Sequence, residues 1–354
     1  MRIVVAMSGG VDSSVSALLL REQGHEVIGA YLRNGVDAPG RGRGHGCCGA
    51  ADAADAEEVA GALSIPFYAL DHAREFGRII DDFVAAYARG ETPNPCVQCN
   101  RELKFGALLD FARSLGAERL ATGHYARLAD SGGGTLLLRA RDRVKDQSYV
   151  LATVPRPLLA RARFPIGELT KGEVRERARA AGLPVHAKPE SQEICFAAGR
   201  DHREVLRARR PDLFRPGPVH DPDGVRVGTH AGAIGFTVGQ RRGLGLALGG
   251  RRYVLASDPS RNTVVIGPRE KLLRRDAALV AVNWLAERPP TGSALRVELQ
   301  VRAHHRPRPA AARVAAGERV ELELDAPGEA ITPGQLGALY VGERLIAGGT
   351  LAPA

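Results

Sequence analysis

Ser8-Gly9-Gly10-Val11-Asp12-Ser13-Ser14 is a stretch whose residue types suit an anion. Adjacent glycines let backbone N–H groups approach phosphate oxygens, and Ser8, Ser13 and Ser14 add hydroxyl donors. Asp12 would repel phosphate unless a cation lay between them, which calls for Mg²⁺ at Asp12. The stretch lacks the Gly-Lys-Ser/Thr ending of a Walker A loop and the G-x-G-x-x-G spacing of a dinucleotide fingerprint. A later Gly243-Leu244-Gly245 run fails that spacing too, with Leu248 where the third glycine belongs. The plainer alternative is a Ser/Gly turn that only caps a helix. Cysteine is the second chemical feature. Asn94-Pro95-Cys96-Val97-Gln98-Cys99-Asn100 puts two thiols on a Pro-rich turn ahead of a helix. A helix N-terminus there, with Arg101 and Lys104, favours the thiolate. No second C-x-x-C completes a zinc knuckle. Cys195 stands alone in Ser191-Gln192-Glu193-Ile194-Cys195-Phe196, a setting that equally suits a buried packing residue. Cys47 and Cys48 are adjacent, follow a Gly-rich basic loop over Gly35 to Gly46, and read as noncatalytic.

The elements that must position these residues follow from periodicity. Arg2 to Met7 reads as a buried strand, Val11 to Gln23 as a helix and Glu26 to Leu32 as a second strand. Ala50 to Leu63 is a helix, Pro66 to Leu70 a strand and His72 to Ala88 another helix. Arg101 to Leu115 is a third amphipathic helix, Arg119 to Thr122 a strand ending in Gly123-His124, and Lys171 to Ala181 a helix closed by Gly182 and Pro184. The phosphate stretch therefore lies between the first strand and first helix, where an α/β sheet offers N–H groups and a helix N-terminus to an anion. The rhythm predicts a parallel sheet with helices on both faces. From about Arg215 the chain turns Pro- and Gly-rich with short β-type runs at Gly235–Val238, Arg252–Leu255 and Thr263–Ile266. Leu279–Val282, Leu295–Val301 and Arg319–Leu324 follow, the last two alternating as half-buried strands do. The expected organisation is an α/β domain over residues 1–199, a small central α+β module over 200–272, and a compact β-barrel over 273–354.

The 354 residues exceed one ordinary core. With 44% hydrophobic and 25% charged residues, the composition excludes a disordered, collagen-like or disulfide-stapled chain. No apolar run approaches the ~18 residues of a membrane span. The N-terminus soon reaches Asp12, unlike a secretory signal, so a cytoplasmic place and no membrane partner are expected. Net charge is +9. Only 5 of the 49 basic residues are Lys, an Arg bias that looks like coding composition, so position says more than number. Residues 1–199 hold 25 basic and 24 acidic side chains, whereas 200–320 hold 23 and 11. Excess cation in the later chain fits a nucleic-acid surface, with a solvated Arg-rich face as the bland alternative.

The loop resembles the SGGxDS pyrophosphate loop of the PP-loop ATPases, which cleave ATP between the α and β phosphates and leave AMP on the substrate. The wider pattern resembles the tRNA-specific 2-thiouridylases, the MnmA family. It is carried by Ala6 to Ser14, Thr92 to Phe105, Ala121 to Tyr125, Lys145 to Tyr149, Phe164 to Gly167, Lys188 to Phe196, Gly235 to Leu244 and Thr332 to Gln335. The resemblance implies an N-terminal PP-loop, adenine nucleotide hydrolase-like domain and a tRNA-contacting C-terminal barrel. It implies a tRNA-uridine 2-sulfurtransferase that adenylates the C2 oxygen of the wobble uridine and replaces it by sulfur. Cys195 would carry a persulfide received from a cysteine desulfurase or relay protein. Cys99 would be the thiol partner, freeing sulfide or forming a disulfide with Cys195. ATP contacts would come from Ala6, Met7, Ser8, Gly9, Gly10, Val11, Asp12 and Ser13, with Leu32 and Gly123 at the adenosine. Contacts to tRNA would come from Asn94, Pro95, Cys96, His124, Lys145, Asp146, Gln147, Arg302 and Gln335. From the residues alone, His124 reads first as a simple strand-end histidine, and Gln147 equally as a turn cap.

Two departures stand out. Many members carry Asp, assigned to proton transfer, where this chain has Cys96. Cys96, Cys99 and Cys195 would then be three ligands for a [4Fe–4S] cluster with one open iron, an alternative to the persulfide. The family's Arg-Tyr-Arg in the barrel appears as Arg302-Ala303-His304, which keeps a phosphate contact and loses aromatic stacking. Two other functions compete: a different adenylating enzyme with this loop, such as an amide-forming or argininosuccinate-type ligase, and a noncatalytic Fe–S or RNA-binding module.

Overall fold

The computed structural model describes residues 1–35, 49–189, 194–197, 201–245, 250–303, 305–329 and 331–352. Cys47, Cys48, His304 and most of the Gly35–Gly46 loop lie outside the described residues.

The first half contributes β1 (Arg2–Ala6), β2 (Glu26–Arg33), β3 (Phe67–Asp71), β4 (Arg119–Thr122), a hairpin of β5 (Ala126–Ser131) and β6 (Gly134–Arg139), and β7 (Ala162–Arg163). The parallel sheet runs β3-β2-β1-β4-β7. Ile3, Val4 and Val5 are fully buried because both faces of β1 are covered. Val4 packs in one core with Phe105, Leu108 and Leu120, while Ile3 and Val5 pack in another with Val15, Ala56 and Val59. That is the period-2 alternation of a strand set in an unbroken apolar run, as parallel sheets require. The chain builds β2 and β3 on one side of β1, then crosses to β4 on the other. The crevice at the C-terminal ends of β1 and β4 is therefore the topological switch point, where α/β sheets bind ligands.

Helices α1 (Val11–Glu22), α2 (Ala50–Ala62) and α3 (Ala73–Ala88) fall within a residue or two of expectation. The helix expected from Arg101 starts earlier, as α4 (Pro95–Gln98), continues as a π-helical segment over Cys99–Ala107 and ends as α5 (Leu108–Ser114). The start is set by Pro95 in the first turn and by Asn94, whose Oδ1 accepts the Cys96 N–H at 3.1 Å. These local start signals outrank the apolar periodicity that begins later. After α6 (Arg156–Leu159), α7 (Lys171–Ala180) opens with a Thr170–Glu173 capping box.

The middle of the chain adds α8 (His202–Arg209) and a four-stranded sheet of β8 (Gly217–His220), β9 (Arg226–His230), β10 (Tyr253–Asp258) and β11 (Thr263–Gly267), in the order β10-β11-β8-β9. The strand expected at Gly235–Val238 is absent. Ala233–Gly235 is a 3₁₀ turn, Gly239 has φ +86°, and Thr237 and Gln240 close a turn through the Thr237 N–H to Gln240 Oε1 (3.1 Å) and the Gln240 N–H to Thr237 O (3.0 Å). A positive φ at Gly239 bends the chain out of the extended state that Phe236-Thr237-Val238 would otherwise favour.

The last part is antiparallel: β12 (Arg274–Trp284), β13 (Ala294–Gln300), β14 (Arg308–Val314), β15 (Val320–Gly328), β16 (Leu336–Val341) and β17 (Arg344–Leu351). The order is β12-β15-β14-β13-β16-β17, and β17 returns to β12, so six strands close a barrel. The β5–β6 hairpin, which periodicity did not single out, adds to this sheet: Leu137 pairs with Leu345 and Leu138 with Arg344. The first half of the chain is thus stitched to the barrel by backbone hydrogen bonds. Among the described residues no helix is long and apolar enough to cross a membrane.

Candidate active site

Residues 7–10 leave β1 and enter α1 at the switch point. Gly9 has φ +68°, and a Cβ there would lie 2.2 Å from the Asp52 carbonyl oxygen, so glycine is required on both conformational and steric grounds. Gly10 is the N-cap of α1. The serines hold the turn: the Ser8 N–H donates to Ser13 Oγ (3.1 Å), the two hydroxyls lie 3.2 Å apart, and Ser13 and Ser14 donate to the Gly10 carbonyl (3.1 and 2.9 Å). Ser14 is therefore a cap of the loop from behind, while Ser8 stays half-exposed at its front. Gly123, at the end of β4, lies so close that a Cβ would sit 2.7 Å from the Ser13 nitrogen. Ala6 is half-buried, Met7 is buried with its N–H donating to Ala30 O (2.8 Å), and Val11 is core. The expected nucleotide residues are thus brought together at one strand end, with Leu32 on neighbouring β2.

Asp12 does more than face the loop. Its Oδ1 accepts the Tyr125 hydroxyl (2.8 Å), and Lys171 Nζ donates to Oδ1 and Oδ2 (2.7 and 2.9 Å). Lys188, far downstream, donates to the Gly9 carbonyl (2.9 Å) and to Asp52 (2.6 Å) and Asp55 (2.5 Å). Sequence reasoning passed over both lysines as individual loop partners.

The thiols converge by way of an apolar cluster. Cys99 and Cys195 are half-buried, and both pack on the group of Phe76, Ile79, Phe83, Leu103 and Phe196, which Leu32 also touches. Phe196 is the anchor beside Cys195: it is buried edge-on against Phe76 and Phe83, with ring centroids 6.0 and 5.2 Å away. Cys96 is exposed on the preceding turn and is not part of that cluster. The alternative [4Fe–4S] set is not assembled: among the described residues no group of three or more His, Cys, Asp or Glu side chains could hold a metal ion. The same holds for a ready-made Mg²⁺ site: among the described residues no such group includes Asp12, whose carboxylate accepts from Lys171 and Tyr125.

The loop ahead of Cys96 is braced by the barrel. The Thr92 N–H donates to Pro333 O (2.8 Å), and a Cβ on Gly334 would meet Glu91 Cβ at 2.8 Å. Gln335 lies in that same barrel loop, its N–H donating to Thr332 O (3.2 Å), close in sequence to the Pro333 and Gly334 that meet Glu91 and Thr92. His124 is buried, its Nδ1 2.7 Å from Thr122 Oγ1, and burial, aided by the Lys104 charge, holds it well below the usual histidine range. It is a neutral ring packed between Phe105 and Phe164. The Asp146 carboxylate is taken up internally by the N–H groups of Ala140 and Ser148, the Ser148 hydroxyl and Arg139. Gln147 is exposed, with its Oε1 accepting the Tyr125 N–H (3.0 Å), and Lys145 is half-buried beside it. Arg302 is half-buried near Tyr87 and Tyr149, and loss of hydration lowers its pKa below the usual guanidinium value.

Family models match the chain end to end: a tRNA methyl transferase HUP domain over residues 1–199, a tRNA methyl transferase PRC-barrel domain over 204–268 and an aminomethyltransferase beta-barrel domain over 274–351. A tRNA-specific 2-thiouridylase MnmA of Chloroflexus aggregans is 46% identical over 352 residues, 99% of this chain and 98% of that one. The chain belongs to the tRNA-specific 2-thiouridylase family. MnmA proteins of Acidithiobacillus ferrooxidans and Moorella thermoacetica are 45% and 46% identical, covering 98% of this chain and 97% and 98% of theirs. Leu32 of β2 packs against both the Val4–Phe105–Leu108 core beneath the sheet and the cluster that carries Cys99 and Cys195.

Proposed function

We propose that the chain is an ATP-dependent tRNA sulfurtransferase that replaces the C2 oxygen of the wobble uridine by sulfur. The observation that carries this reading is the convergence of Cys99 and Cys195 on one apolar cluster that Leu32 of β2 also touches. The carbonyl oxygen is a poor leaving group until ATP transfers AMP to it with release of pyrophosphate. The Cys195 persulfide then supplies sulfur, the Cys99 thiolate takes up the Cys195 sulfur as a disulfide, and AMP departs. A dithiol reductant restores both thiols. Sulfur reaches Cys195 from a cysteine desulfurase or relay protein. A tRNA substrate supports the cytoplasm as its place of work.

Ser8 to Ser13 and Gly123 would cradle the phosphates, with Leu32 beside the adenosine. Among the described residues Asp12 accepts three hydrogen bonds, and a carboxylate with roughly four lone-pair directions could add a single contact to Mg²⁺ that otherwise keeps water and phosphate ligands. Mg²⁺ there would offset phosphate charge. The three stretches 1–199, 200–272 and 273–354 would serve as catalytic domain, central module and tRNA-contacting barrel. Asn94, Pro95, Cys96, His124, Lys145, Asp146, Gln147, Arg302 and Gln335 would border the RNA. For His124 and Asp146 the support is for shaping that border, since both are used internally. Cys96 is exposed at the place of the family's acid, and as a thiol it would serve poorly as a base.

The direct test is incubation with ATP, a sulfur donor and unmodified tRNA. Appearance of 2-thiouridine with stoichiometric AMP is expected; amide formation without sulfur would favour the ligase reading. Affinity for tRNA should also fall steeply with salt. Arg241 and Arg242 are exposed on the turn after Gly239, and a Cβ on Gly239 would lie 3.7 Å from Arg302 Nη2. Replacing Arg241, Arg242 and Arg302 by Gln should reduce the slope of log K against log salt by roughly 0.7–0.9 for each phosphate that is no longer neutralised. A larger effect from Arg changes within 1–199 would move the RNA surface elsewhere.

A further inference from the structure

Lys188 reaches the phosphate loop from outside it. All three of its ammonium protons have acceptors: the Gly9 carbonyl, Asp52 and Asp55. Burial opposes its charge, but the hydrogen bonds and charges of the two carboxylates outweigh this and raise its pKa above the ordinary lysine value. The main chain of Lys188 is pinned as well, its N–H donating to Val185 O (3.0 Å) and its carbonyl accepting from Arg175 Nη2 (3.3 Å). Asp52 is buried, and its Oδ2 accepts the Gly49 N–H (3.3 Å) at the start of α2.

A trans peptide unit points its C=O and N–H in opposite directions. Holding the Gly9 carbonyl on the α2 side therefore turns the Gly10 N–H to the other side. Gly10 is the N-cap of α1, a position whose N–H the helix itself does not satisfy. The peptide lies between two glycines, the residues least able to fix their own orientation. We propose that Lys188 is a positioning residue that locks the Gly9–Gly10 peptide so that the Gly10 N–H faces the phosphates of the nucleotide. Asp52 and Asp55 orient the ammonium and more than offset its charge, so Lys188 works through the backbone and not as a phosphate ligand. The inference rests on the reading of Ser8–Ser14 as the ATP loop.

The experiment measures binding of inorganic pyrophosphate and of ATP, and ATP-dependent AMP formation, for the full-length wild type, K188R, K188M and K188M combined with D52N and D55N. The last variant removes the Gly9 bond without leaving buried carboxylates unpaired, which guards against unfolding, and its melting temperature is recorded. K188M and the combined variant should bind pyrophosphate and ATP roughly ten- to a hundredfold more weakly, the weight of one charge-assisted N–H bond. KM for ATP should rise more than kcat falls, K188R should recover part of the loss, and alkylation of Cys195 should proceed at the wild-type rate. A folded combined variant with wild-type pyrophosphate affinity overturns the proposal, as does a fall in kcat with KM unchanged. A wild type that binds neither ligand overturns the nucleotide reading and the role of Lys188 with it.

Discussion

Cys195→Ser should still adenylate tRNA, releasing pyrophosphate, and AMP as water hydrolyses the adenylated uridine, but should put no sulfur into it, and Cys99→Ser should behave the same way. A serine hydroxyl cannot hold persulfide sulfur, and its pKa is far too high to replace a thiolate. Both side chains lie at the rim of the Phe76–Phe83–Phe196 cluster, where Ser replaces Cys at nearly equal volume, so folding and the phosphate loop are left intact. Cys96→Ala separates the two sulfur routes. Cys96 is exposed and outside the cluster, so the variant should keep substantial thiolation and no iron should accompany the active protein. The readouts are 2-thiouridine by mass spectrometry, AMP by chromatography and iron by elemental analysis. Loss of iron and activity together in Cys96→Ala would restore the cluster route. Thiolation by Cys195→Ser would remove the persulfide assignment, and a dead Cys47→Ser, Cys48→Ser double variant would point to the wrong thiols.

The parallel sheet was legible because β1 writes Ile3-Val4-Val5 with no polar interruption, and the phosphate loop because its glycines and serines follow that strand directly. The late barrel was legible where strands alternate, as in Val320-Glu321-Leu322-Glu323-Leu324, whose burial alternates residue by residue. Three things were not legible, each for a physical reason. Gly235–Val238 has β-type side chains, but Gly239 at positive φ and the Gln240 side chain fold it into a turn. The β5–β6 hairpin reads as a connection because its partner strand lies some two hundred residues away, and local periodicity carries no information on pairing at that distance. Lys171 and Lys188 were invisible as loop partners because ion pairs across such separations leave no spacing rule in the sequence. The nucleophiles could be proposed from motif context, whereas the residues that hold the loop in shape needed coordinates.

Asp12→Asn should lower AMP formation by about a hundred- to a thousandfold while the protein stays folded, on the scale of losing one preorganised electrostatic group. The substitution keeps the shape of the side chain and an oxygen for the Tyr125 hydroxyl, so the first turn of α1 loses only a carboxylate–dipole term of about 0.3–1 kcal/mol. What disappears is the negative charge that fixes Lys171 at 2.7–2.9 Å and that would attract Mg²⁺. Lys171→Met distinguishes these two uses. If Asp12 acts chiefly by placing Lys171, both variants lose activity alike and the Mg²⁺ concentration giving half-maximal rate is unchanged. If it acts chiefly on the cation, Asp12→Asn alone shifts that concentration upward, and Lys171→Met leaves it in place. Rates of pyrophosphate release against Mg²⁺ concentration, with a thermal melt for each variant, decide the matter. A folded Asp12→Asn protein that forms AMP at the wild-type rate would take the carboxylate out of the reaction altogether and leave it as a helix-terminal partner of Lys171.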